Sequence, residues 1–241
     1  MDEPVVRPAW YAPTSGTVRD WISVLHPPYT AWHLGYVLIG AGLAATLSVE
    51  RLLATLLAFA LAVGVAAHGL DELNGRPLAT RIPGPALAVA SAASLAGAVV
   101  LGAVGIAQVG WGLAGFIVAG VLLVVAYNLE LAGGRLHNDV TFALAWGSFP
   151  VLTAYYAQAG TIEPAAVVAA AFAYGLSRAQ RHLSSEARDV RRHVVSVAGE
   201  RTYRDGSSRA ITRETILGPV EKALVALSWS TCALGVAMVV R

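Results

Sequence analysis

The sequence predicts an all-α integral membrane bundle, and three observations predict it. Hydrophobic residues make up 56% of the 241-residue chain and charged residues only 13%, a balance outside the range of soluble domains. Seven apolar runs, at about 31–48, 52–69, 84–106, 109–128, 139–158, 163–180 and 217–240, approach the roughly 20 residues a helix needs to cross a hydrocarbon core. With the N-terminus inside, all of the 17 basic residues except Arg51 and Arg241 fall on one side, which is the positive-inside pattern. These place the chain in the cytoplasmic membrane with its N-terminus cytosolic and its C-terminus outside.

The elements follow in order. Residues 1–30 read as an interfacial segment: Val18, Trp21, Ile22 and Leu25 share one side of a short helix and Arg19 and Asp20 another, as in helices that lie in the membrane surface. Pro27 and Pro28 end it. The opening MDEPVVRPAWYAP is acidic and Pro-containing, so a cleaved secretory signal is not expected. Residues 31–241 form one transmembrane domain, with a cytosolic cap loop at about 181–216 over the site. The lone Cys232 lies in an apolar run, so any metal must use histidines and carboxylates. Runs such as Ala90-Ser91-Ala92-Ala93 suit close helix contact.

Two polar stretches carry the functional signal. Ala66 to Leu78 reads AAHGLDELNGRPL, with His68, Asp71 and Glu72 at offsets 0, +3 and +4. Arg178 to His193 reads RAQRHLSSEARDVRRH, with His182, Glu186, Asp189 and His193 at 0, +4, +7 and +11. At about 100° per residue, those four occupy a stripe roughly 60° wide. Glu130 and His137, seven apart around a Gly133-Gly134 turn, are further ligand candidates. Ionisable groups beside membrane helices are costly to desolvate and mark working sites.

The order of these elements resembles the UbiA-type intramembrane prenyltransferases, and in particular the menaquinone branch. The family's N-D-x-x-D-x-x-x-D motif corresponds to Ala67-His68-Gly69-Leu70-Asp71-Glu72-Leu73-Asn74-Gly75, which keeps the middle acid, and an RPL element follows as Arg76-Pro77-Leu78. HNDVTFALAWGSFPVLTAYYAQAG from His137 is similar to the fifth-helix region, with Asp139 where the family has Glu. Its D-x-x-D-x-x-x-D motif has the counterpart Glu186-Ala-Arg-Asp189-Val-Arg-Arg-His193, and Gly199-Glu-Arg-Thr202 resembles a G-K-R-T turn. The family's final helices have no counterpart here.

The resemblance implies prenyl transfer from a prenyl diphosphate to an acceptor. Asp71, Glu186 and Asp189 would hold Mg²⁺, and Arg76, Arg81, Arg178, Arg181 and Arg188, with Asp139, would flank the substrate. Read for their own chemistry, the residues also suit a second enzyme class. Histidine favours Fe, Mn or Zn over Mg²⁺, and His68, Glu72, Glu130, His137, His182, Glu186, Asp189 and His193 are compositionally like di-iron carboxylate sites in helix bundles. A lipid oxidase, desaturase or hydrolase is that alternative. A transporter ranks below both because the ionisable groups lie at one end of the spans and no internal repeat is visible; an inactive scaffold is the remaining reading. Glu186, Asp189, Glu200, Asp205 and Glu214 interrupt the Arg-rich loop, which argues against nucleic acid. The expected partner is a hydrophobic lipid or isoprenoid.

Overall fold

A computed structural model describes Ala9, Tyr11 and residues 16–240; the remainder of the expected N-terminal segment lies outside the described residues. Eight helices and one small hairpin follow: α1 Thr17–Val24, α2 Pro27–Gly42, α3 Val49–Leu73, α4 Gly84–Val109 and α5 Gly112–Asn128. Helix α6 runs continuously over 139–159. Helix α7 is Pro164–Arg192, strands β1 Glu200–Thr202 and β2 Ser208–Ala210 pair antiparallel, and α8 is Arg213–Val239.

Local chemistry sets the boundaries. Ser48 caps α3 by accepting from Arg51 N, Asn138 caps α6 by accepting from Thr141 N, and Thr212 opens α8 with a reciprocal capping box, satisfying amides that a first turn leaves without partners. Pro27 and Pro28 both end α1 and start α2, because proline at the first helical positions forfeits no hydrogen bond. The expected all-α bundle is found as a mostly helical one, with the small hairpin as an addition. Helix α7 also runs about three turns beyond the apolar stretch ending at 180, so the cap shrinks to residues 193–212.

Large apolar side chains lie exposed on the outside of the bundle. Val89, Val100, Val104, Val118, Leu122 and Trp229 are all exposed, a surface that water would not tolerate over such an extent. Three helices, α3, α4 and α8, are long and apolar enough to cross a membrane. With little hydrophobic drive between helices in lipid, close packing must hold them together. Helix α2 supplies it: a Cβ on Gly40 would collide with the Val151 backbone of α6, and one on Gly42 would lie 2.6 Å from Met238 of α8.

Two π-helical segments interrupt the rods, Ala60–Ala67 in α3 and Leu144–Ser148 in α6. Such segments widen a helix locally and recur at functional sites. The C-terminal ends of α3, α5 and α7 and the N-terminal ends of α2, α6 and α8 gather at one end of the bundle, around the cavity described next.

Candidate functional site

A cavity of about 340 Å³ opens at that end, with walls from α2, α3, α5, α6, α7 and α8. From α7, Arg181, Arg188, Arg191 and Arg192 face it; from α3, His68 and Asp71; from the α1–α2 junction, His26, Tyr29 and His33. Ala9 and Tyr11 also line it, and the Tyr11 hydroxyl is hydrogen-bonded to His26 Nδ1. His26 adopts a left-handed backbone (φ 44°), an uncommon conformation for a residue with a side chain. Its ring centroid lies 4.4 Å from that of His68. Burial first, then His68 and the neighbouring arginines, hold His26 well below the usual imidazole range, so it stays neutral.

The arginines differ in what they touch. Arg191 makes a two-pronged pair with Glu221 at 2.5 and 2.9 Å. Arg181 pairs with Asp139 at 3.2 Å and lies over the Phe142 ring. Arg188 makes no ion pair among the described residues and donates to Ser185 Oγ at 3.0 Å. Burial and the Arg181 and Arg192 guanidiniums push Arg188 below the usual arginine range. An anion in the cavity would relieve that repulsion.

The adjacent acids of the first motif separate. Asp71 faces the cavity, whereas Glu72 is 1% exposed and accepts hydrogen bonds from Leu78 N (2.9 Å), Thr80 N (2.9 Å) and Thr80 Oγ1 (2.8 Å). Glu72 thus clamps the loop after α3. Arg76 serves the same loop by donating to Ile82 O at 2.6 Å, and Arg81 is tied through its backbone N–H to Asp20. Neither Arg76, Arg81 nor Arg178 lines the cavity. Asp139 does not line it either and instead positions Arg181. Glu130 and His137 do reach it: the glycine turn breaks the helix between them, yet folds back so that they lie 3.7 Å apart, with His137 stacked on Tyr127.

The second motif points elsewhere. His182, Glu186, Asp189 and His193 are all exposed, and none lines the cavity. The stripe exists, as the 3.0 Å bond from His193 Nδ1 to Asp189 shows, but it lies on the opposite side of α7 from the buried Ser184 and Ala187. The expected convergence with His68 and Asp71 therefore does not form. Among the described residues, no three His, Cys, Asp or Glu side chains are grouped to hold a metal ion. The donor set does not fit Mg²⁺ shared between the two motifs: Asp71 stands without Glu186 or Asp189, Glu130 sits half-exposed beside His137, and Glu221 is engaged by Arg191. The hairpin does not line the cavity either, whereas Ala9 and Tyr11 do.

Several residues that the motifs do not point to belong to the site: His26, His33, Tyr29, Tyr127, Gln180, Arg191 and Arg192. A signal for Arg192 was present, since Arg181, Arg188 and Arg192 repeat the 0, +7, +11 spacing one residue earlier than the histidine stripe. Three buried polar groups face the cavity: the His33 and His68 rings, each within reach of backbone carbonyls (Tyr29 for His33, Gly64 and Leu25 for His68), and Tyr127 Oη, which has no hydrogen-bond partner among the described residues. Buried groups of this kind are costly unless something bonds to them.

A second, apolar cavity of about 320 Å³ runs between α3, α4, α5 and α6. Val63 and Trp146 line both spaces, and each belongs to one of the π-helical segments. Fold and site together define a helical membrane protein with a polar chamber adjoining an apolar furrow. Comparison of the chain with models of protein families, with curated proteins and with solved structures returns no match.

Proposed function

We propose that this chain is a UbiA-like membrane enzyme that binds a prenyl diphosphate and transfers its prenyl group, with seven spans and the polar chamber on the cytosolic side. One observation carries the reading: the arginine-bearing chamber and the apolar furrow share the wall of Val63 and Trp146, so one amphiphile can place an anionic head in the first and its tail in the second. The orientation rests on the basic residues gathered at the chamber end.

In this reading Arg181, Arg188 and Arg192 take the diphosphate, as guanidinium groups bind phosphate oxygens in a fixed fork. They occupy the role that carboxylate-held Mg²⁺ has in the family, because Glu186 and Asp189 face away. The bond between the prenyl carbon and its diphosphate oxygen breaks as the acceptor bonds to that carbon, and the leaving charge stays on the arginines. His33, His68 and Tyr127 offer the acceptor hydrogen bonds, and Asp71 is placed to receive its proton. Aromatic walls from Tyr127, Phe142 and Trp146 suit a developing allylic cation.

The test is ligand-dependent stability of the purified protein in nanodiscs. Farnesyl diphosphate at about 100 times its Kd stabilises by about 2.7 kcal/mol, a rise of several degrees in Tm, and exceeds the effect of either farnesol or inorganic diphosphate. Incubation with phenolic and quinol acceptors then releases diphosphate. Equal responses to farnesol and farnesyl diphosphate would show that the arginines play no part and would end this reading.

A further inference from the structure

The furrow has a built end. At the far end of the bundle from the chamber, Arg51 donates to Gln158 O at 3.2 Å and to Gln108 O at 3.1 Å, while Gln108 Nε2 donates to Glu50 Oε1 at 3.1 Å. Gln158, itself buried, accepts from Ser48 N at 2.8 Å. These bonds tie the start of α3 to the ends of α4 and α6, and Glu50, Arg51 and Gln108 line the furrow there. Its other end is the Val63 and Trp146 wall.

Between the two, α3 presents Ala54, Ala58 and Ala62 to the furrow. Their spacing of four keeps them on one face, each step rising about 6 Å, somewhat more than the span of one extended isoprene unit. From Val63 to Arg51 the helix rises about 18 Å, which suits a farnesyl or geranylgeranyl tail and falls well short of a long polyprenyl one. Adjacency to the arginine-bearing chamber points to the occupant: Val63 and Trp146 line both spaces, so an anionic head held in the chamber has the furrow as its nearest apolar space.

Resting on the reading above, we infer that α3 is a tail-length ruler: the Arg51–Gln108–Gln158–Glu50 clasp sets the longest prenyl tail accepted, and Ala54, Ala58 and Ala62 mark successive positions along it. In lipid the tail gains little from the hydrophobic effect on leaving the bilayer, so the device acts by excluding tails that are too long.

The experiment measures Kd in nanodiscs for geranyl, farnesyl, geranylgeranyl and octaprenyl diphosphate, with inorganic diphosphate as head-only control and circular dichroism as the check on folding. The wild type binds the first three within a few-fold of each other and octaprenyl diphosphate at least tenfold more weakly. Ala54→Phe moves the cut-off down to farnesyl and Ala58→Phe down to geranyl, whereas the Arg51→Ala, Gln108→Ala double variant admits octaprenyl diphosphate. Equal binding of all four lengths in every variant, with the tail leaving sideways into lipid, overturns the ruler and leaves the enzyme proposal standing. Failure of every prenyl diphosphate to bind overturns both.

Discussion

Helix α7 carries two stripes with the same spacing and different fates. Arg181, Arg188 and Arg192 face the chamber, while His182, Asp189 and His193, each one residue later, face outward. One residue is about 100° of rotation, enough to exchange a buried position for an exposed one. The choice is made by the packing face: Ala187 and Val190 bury against Leu217 and Leu224 of α8. That contact turns the arginines toward the chamber and the histidines away. Metal-competent composition, then, says what a helix face could do, and its neighbours decide whether it meets anything.

The largest effect that tests this contrast is on head-group binding. Arg188→Ala weakens farnesyl diphosphate binding about 30-fold, in keeping with loss of a charge-assisted contact of about 2 kcal/mol, measured by titration in nanodiscs. The His182→Ala, Asp189→Ala double variant changes it less than about twofold. Comparable losses in both would mean that the outward stripe also reaches the ligand, and the contrast would fail.

Next in size is the division between the neighbouring acids of α3. Glu72→Ala leaves the Leu78 and Thr80 amides without their buried acceptor and lowers stability by about 3 kcal/mol, seen as a fall in Tm. Asp71→Asn keeps Tm within a few degrees and abolishes most prenyl transfer. A reversed pattern would exchange their roles.

A smaller effect sharpens how Arg181 is held. Asp139→Asn removes the ionic partner of Arg181 and weakens farnesyl diphosphate binding about threefold to fivefold, with Tm nearly unchanged. Smallest of all, His193→Ala breaks an exposed contact one turn long and shifts Tm by less than about 1 °C.

Much of this was legible along the chain. Apolar run length announced the long helices, the proline pair marked the α1–α2 boundary, and the polar stretches pointed to the end of the bundle where the chamber lies. Asp71 and His68 were found because a polar residue at the end of an apolar helix has few structural reasons to be there. Glu72 was misplaced among the ligands because its partners are backbone amides of Leu78 and Thr80, which have no signature in sequence. Nothing along the chain marks His26 for the site, because only the packing of the α1–α2 junction on α3 brings its ring against His68.

Composition and periodicity determined by themselves that this chain is a helical membrane protein with most of its ionisable side chains gathered at one end. They also set the angles between residues within each helix, because backbone hydrogen bonding makes the rotation per residue nearly constant. Only the tertiary structure decided the absolute rotation of each helix, and so which acid of the Asp71–Glu72 pair faces the chamber and which stripe of α7 is used. The same packing made Val63 and Trp146 a wall common to chamber and furrow. Rotation about a helix axis costs nothing within the helix itself; contacts such as Ala187 and Val190 on α8 supply the energy that selects it.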